Sequence, residues 1–204
     1  MKTIKQLLIT IAVLLCSATT YAYDFEVDGI YYNIISMEDL TVEVTNGDIE
    51  YSGEVIIPET VTIQSRTFKV IGISSSAFDY SNITSITIPN SVTSILEGSF
   101  SNCTSLKNLI IEDGETTLLI EGYEGYYNGY FVVYESVFKD CPITNLYLGR
   151  KFYCPSMYNH PFVGMNTLET VTIGNGVTAI ADGEDYEVGG CIPRLYKPYG
   201  RDNW

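Results

Sequence analysis

The sequence predicts a β-rich solenoid of stacked repeats, preceded by a short run of β-hairpins. Three observations predict it. An apolar-x-x-apolar-x-apolar run recurs as Ile83/Ile86/Ile88, Leu106/Leu109/Ile111, Ile143/Leu146/Leu148 and Leu168/Val171/Ile173. One aromatic residue precedes each run: Phe78, Phe100, Phe138 and Phe162. Before the first repeat, Asp28-Gly29 and Asn46-Gly47 break alternating runs at the dipeptides that tight hairpin turns favour.

The spacing has a physical reading. In an extended run alternate residues face the same side, so the last two apolar residues of each run point inward together. The apolar residue three positions earlier enters from the preceding turn. One such unit leaves both edges of its small core open, and stacking successive units closes them. Phe-x-x-Cys recurs at Phe100/Cys103 and Phe138/Cys141, with Ser81 and Met165 at the same place in the other units. Equivalent positions predict a stacked row of small buried side chains there rather than a disulfide.

The segments "AFDYSNITSITIPNSVTSI" and "SFSNCTSLKNLII" resemble the BspA-like leucine-rich repeats of bacterial surface proteins. The likeness is close over residues 70–114 and looser over 134–180. It implies a curved, β-rich leucine-rich-repeat solenoid with little regular helix. It also implies an exported surface protein that binds a host or bacterial surface protein, with no catalytic site in the repeats. The tyrosine-bearing leader is similar to the one that often precedes these repeats in Bacteroidetes.

The expected organisation follows in chain order. Residues 1–22 read as a secretory signal: Lys2 and Lys5, an apolar run from Leu7 to Leu15, and a cleavage site at Thr20-Tyr21-Ala22, with Ala18 as the weaker alternative. The run is too short for a spanning helix, which needs roughly 20 apolar residues. Cys16 invites a lipid anchor, but Leu15 stands where such a signal wants a small residue. Residues 23–69 read as an N-terminal β-hairpin cap, because an uncovered solenoid end would show unpaired strand edges. Residues 70–190 read as the solenoid, and 191–204 as an atypical tail or cap.

Composition and motifs exclude several functions. A formal net charge of −14 would repel phosphate backbones, so no nucleic-acid partner is expected. At 46% hydrophobic residues with 17 tyrosines, the chain is too apolar for a disordered acidic tail. No Cys pair has C-x-x-C spacing and His160 is the single histidine, which argues against a metal site. The acidic turns 112–115 and 182–187 do not match a calcium loop. No nucleophile motif or phosphate loop is found, so neither an enzyme nor a cofactor is expected.

Two stretches are candidate binding sites. The outward positions of the runs are Ser85 and Thr87, Asn108 and Ile110, Asn145 and Tyr147, Thr170 and Thr172. Ile110 and Tyr147 would lie side by side among small polar residues. The second stretch is "EGYEGYYNGYFVVY" (121–134). The interval from Ile88 to Phe100 is repeated from Ile111 to Phe138 with a surplus, which predicts an insertion at about 115–134. Asn128-Gly129 predicts a hairpin with Tyr127 and Tyr130 beside the turn and Tyr126 across from Phe131. Tyr123, Tyr126, Tyr127 and Tyr130 are then candidates to meet a protein or, by ring stacking, a glycan. The sequence leaves two placements for these rings: toward a partner, or folded onto their own solenoid.

Overall fold

A computed structural model describes residues 22–121, 124–127, 130–133, 136–154, 161–162 and 165–177, with 124–127 and 130–133 described by their backbone. The signal run before residue 22, Tyr123, His160 and the expected tail 191–204 lie outside the described residues. Strand β1 (Phe25–Val27) turns back onto β2 (Ile30–Ser36), which pairs antiparallel with β3 (Thr41–Thr45). Asp28 and Gly29 connect β1 and β2 with φ of 53° and 79°, the left-handed pair that a two-residue turn demands.

Asn46-Gly47, expected as a second hairpin turn, closes none. The next strand, β4 (Ser52–Ile56), leaves the sheet of β3 and opens a different one. Gly47 answers a steric demand instead: a Cβ there would lie 2.2 Å from the Tyr31 ring. The chain then forms β5 (Thr60–Ile63) and β6 (Arg66–Ile73), a hairpin turned at Gln64 and Ser65, both at positive φ. Strand β6 pairs in parallel with β3.

From here the repeats alternate between two sheets. Strands β7 (Asn82–Ile88), β9 (Asn108–Ile111), β13 (Asn145–Arg150) and β15 (Thr170–Gly176) join β4 in a five-stranded parallel sheet. Between them, the short strands β8 (Ser94–Ile95), β10 (Leu118–Ile120) and β14 (Phe152–Tyr153) continue the sheet of β1, β2, β3 and β6. A third side is held by rung-to-rung backbone bonds at the aromatic turns. The amide of Phe78 donates to Ser99 O at 2.7 Å, Tyr80 to Ser101 O at 3.0 Å, and Asn102 to Lys139 O at 2.9 Å. No helix occurs among the described residues.

The first three apolar runs face the interior as their spacing predicts, whereas in the fourth Leu168 and Val171 are half-buried and Ile173 is 39% exposed. Ile83, Ile86, Ile88, Leu106, Leu109 and Ile111 are all fully buried. The aromatic markers form one column: Phe78 to Phe100 at 4.9 Å, Phe100 to Phe138 at 5.2 Å, and Phe138 to Phe162 at 5.7 Å between ring centroids. Tyr51 adds to its end, 4.5 Å from Phe78. Strand β4 therefore carries a degenerate repeat, with Tyr51 for the Phe and buried Val55 and Ile57 for the last two apolar positions. Its backbone pairs in register with β7, Val55 opposite Ile86. The five-stranded sheet thus begins inside the segment expected as hairpins, because Gly53 replaces the first apolar residue and hides the pattern.

Cys103 and Cys141 stack as expected and form no disulfide with each other. The Cys103 thiol donates to Phe78 O at 3.0 Å, and the Cys141 thiol to Phe100 O at 2.9 Å. Each Sγ–H thus satisfies the carbonyl of the previous rung's aromatic residue. Hydrogen bonding with Cys103, reinforced by burial, pushes the Cys141 thiol up.

The insertion is shorter than its expected span of 115–134. Residues 118–120 form β10, an ordinary rung strand paired with β8 and β14. The surplus begins after it and contains β11 (Glu124–Tyr127) and β12 (Tyr130–Val133), a separate antiparallel pair. Five residues lead from Ile95 to Phe100, where eighteen lead from Ile120 to Phe138.

Candidate binding surface

Strict parallel register turns the outward positions of the five-stranded sheet into straight columns. One column runs Ile56, Thr87, Ile110, Tyr147, Thr172, and the other Glu54, Ser85, Asn108, Asn145, Thr170. Sequence spacing placed Ile110 beside Tyr147, and the structure pairs them directly across β9 and β13. Both are half-buried.

The polar column is knitted by side-chain bonds. Asn145 Nδ2 donates to Asn108 Oδ1 at 2.8 Å, and Thr170 Oγ1 donates to Asn145 Oδ1 at 2.5 Å. In the other column, the Tyr147 hydroxyl lies 3.0 Å from both carboxylate oxygens of Asp113. Asp113 also accepts from the Asn175 amide at 3.1 Å. The hydrogen bond to Asp113, with desolvation behind it, holds the Tyr147 phenol above its usual range. The ring is therefore fixed by its tip and stays a neutral donor at neutral pH.

Close backbone approach supports this corner. A Cβ at Gly149 would meet the Asp113 amide nitrogen at 2.3 Å, so only glycine lets β13 pass the turn that carries Asp113. Next to it, Arg150 is buried inside the solenoid. Its Nη1 donates to Asn90 O and its Nη2 to Pro89 O, each at 2.9 Å, tying the fourth strand's end to the turn two rungs back. Burial pushes the Arg150 guanidinium down, and the nearby Glu112 offsets part of that.

The aromatic arm has the backbone register that a two-residue connection at Asn128-Gly129 gives: Tyr127 opposite Tyr130 and Tyr126 opposite Phe131. The structure does not unite the six candidates into one site. Ile110 and Tyr147 share the five-stranded sheet, Tyr126, Tyr127 and Tyr130 belong to the separate two-stranded sheet, and Tyr123 lies outside the described residues. Sequence reasoning missed Asp113, whose turn looked like an ordinary solvated acidic loop. It also missed Ile56, 60% exposed at the head of the apolar column. The signal for Ile56 was present in Tyr51-x-x-x-Val55-x-Ile57.

The repeat geometry matches known proteins. A family model described as "BspA type Leucine rich repeat region (6 copies)" matches residues 71–123. Over residues 71–123 the chain is similar to BspA-type leucine-rich repeats. A leucine-rich repeat protein from Bacteroides capillosus shares the fold at a TM-score of 0.54 and 22% identity, covering 74% of this chain and 98% of that one. A second, from Bacteroides ovatus, is 26% identical at a TM-score of 0.48, over 74% of this chain and 41% of that one. A leucine rich cell surface protein from Faecalibacterium prausnitzii aligns at 17% identity and a TM-score of 0.45, over 76% of this chain and 43% of that one. No curated protein matches the chain. No helix of the described residues is long and apolar enough to cross a membrane.

Proposed function

We propose that the protein is an exported, non-catalytic binding module whose BspA-type solenoid presents the outer face of its five-stranded sheet to a surface protein of a host or of another bacterium. The observation that carries the reading is the column through Ile56, Ile110 and Tyr147. Parallel register aligns these residues, and Asp113 immobilises the Tyr147 ring before any partner arrives. A fixed aromatic loses little entropy on binding, which is why such residues dominate interface energetics. The leader with Lys2, Lys5 and the apolar run supports export.

The test is capture from a panel of extracellular-matrix and bacterial surface proteins, repeated with Tyr147→Ala and with Tyr126, Tyr127 and Tyr130 changed together to Ala. A partner lost with Tyr147→Ala at an unchanged unfolding midpoint supports the sheet face. A panel with no partner, or a partner that every variant retains, overturns it. The pairing of Tyr126 with Phe131 and Tyr127 with Tyr130 favours a second reading, a carbohydrate-binding accessory protein. A glycan array distinguishes the two: a sugar ligand lost only in the triple variant assigns the arm.

A further inference from the structure

A second surface lies at the opposite end of the stack from β15. Strand β4 is the terminal strand of the five-stranded sheet, so one row of its backbone N–H and C=O groups faces no strand of the described residues. Beside that edge the chain leaves a cleft of about 750 Å³, walled by the β1–β2 hairpin, β4 and β5. Among the described residues its charged lining is all of one sign: Glu26, Asp28, Glu50 and Glu54, all exposed, with no lysine or arginine. Its apolar rim includes Ile49 and Ile56, which are 72% and 60% exposed. The Tyr51 hydroxyl closes the floor, donating to Thr45 O at 2.6 Å and accepting from the Tyr31 amide at 2.9 Å.

We infer that this cleft takes an extended basic segment of a partner protein, which adds to β4 as a further strand. An open edge supplies main-chain hydrogen bonds without regard to sequence, and alternate side chains of the incoming strand supply the selectivity. Here the outward set meets Glu54 and Ile56, which share the outer face of the sheet, and lysine stems there cover the isoleucine while their ammonium groups reach the carboxylates. The charge pattern decides among occupants. Strand β15 of a second copy, Thr-Val-Thr-Ile-Gly-Asn-Gly, could reach an open edge but brings no cation to the carboxylates.

The test uses fluorescence anisotropy with the full chain and a short labelled peptide alternating lysine and valine. Saturable binding is expected, weakening as salt rises because exposed charges are screened. The double variant Glu50→Lys/Glu54→Lys should weaken it by about tenfold or more, as reversing rim charges does. Glu169→Lys, an exposed reversal on the far rung, should leave it unchanged. A peptide N-methylated at alternate residues should fail, because it cannot pair as a strand. Equal binding by the N-methylated peptide or by a glutamate–valine peptide overturns the proposal, as does equal weakening by Glu169→Lys. So does a peptide of residues 191–204 that outcompetes the probe, which would make the occupant the chain's own tail. A concentration-dependent dimer that the double variant abolishes would assign the edge to a second copy instead.

Discussion

At the scale of single residues, the repeat demands a left-handed backbone two positions after Phe78, Phe100 and Phe138. Tyr80, Asn102 and Asp140 occupy that place with φ of 58°, 61° and 57°. Asn and Asp tolerate this conformation, whereas a bulky side chain pays about 1 kcal/mol or more for it. Tyr80 is 67% exposed, so its ring returns little packing. Tyr80→Asn should therefore raise stability by about 0.5–1 kcal/mol in urea unfolding. Glu43 offers a second case. Burial, countered partly by a hydrogen bond from Asn33, holds its carboxyl above the usual range. A carboxyl raised in the folded state favours folding while protonated, and that contribution is lost as pH rises through the folded-state value. Glu43→Gln, neutral at every pH, should thus stabilise at about pH 7 and make almost no difference at about pH 4. Unfolding midpoints measured at both pH values would check the sign.

At the scale of elements, the inserted arm should be separable from the rung that carries it. Ordinary rungs place four residues between the second-sheet strand and the next aromatic, as from Ile95 to Phe100. Removing residues 123–135 restores that interval, leaving Glu121-Gly122-Ser136 where the preceding rung has Leu96-Glu97-Gly98. The shortened chain should fold with a thermal midpoint within a few degrees of the parent, a change of under about 1 kcal/mol. A large drop in circular-dichroism melts would show that the arm covers the solenoid. Much of this was legible in the sequence, since Asn128-Gly129 and the Phe100-to-Phe138 interval are local signals. Strands β8, β10 and β14 were not, because two or three residues are too few to show a period. Residues 118–120 were consequently assigned to the insertion. Strand β4 escaped notice for another reason: Tyr51 and Gly53 replaced two of its four repeat markers. The outward pair Ile110 and Tyr147 was legible once the strands were in register. Asp113 was not, since its role depends on a rung one turn further along the chain.

At the scale of the whole molecule, the column of aromatic rings couples neighbouring rungs. Phe100 is fully buried at its middle, between Phe78 and Phe138. Phe100→Ala should cost about 3–5 kcal/mol, and calorimetry should show the loss throughout the stack because each rung leans on the next. The acidic surface acts over the same distance. With a net charge of −14 the folded chain repels itself, so raising salt from about 10 mM to about 150 mM should raise the thermal midpoint. A midpoint that falls would contradict this. The restored interval left by removing 123–135 has a consequence for engineering. If the ladder closes without the arm, the junction after Gly122 is a port through which other peptide sequences can be displayed. Its geometry would be set by the rungs on either side, so a library grafted there would vary the displayed loop while the scaffold beneath it stayed constant.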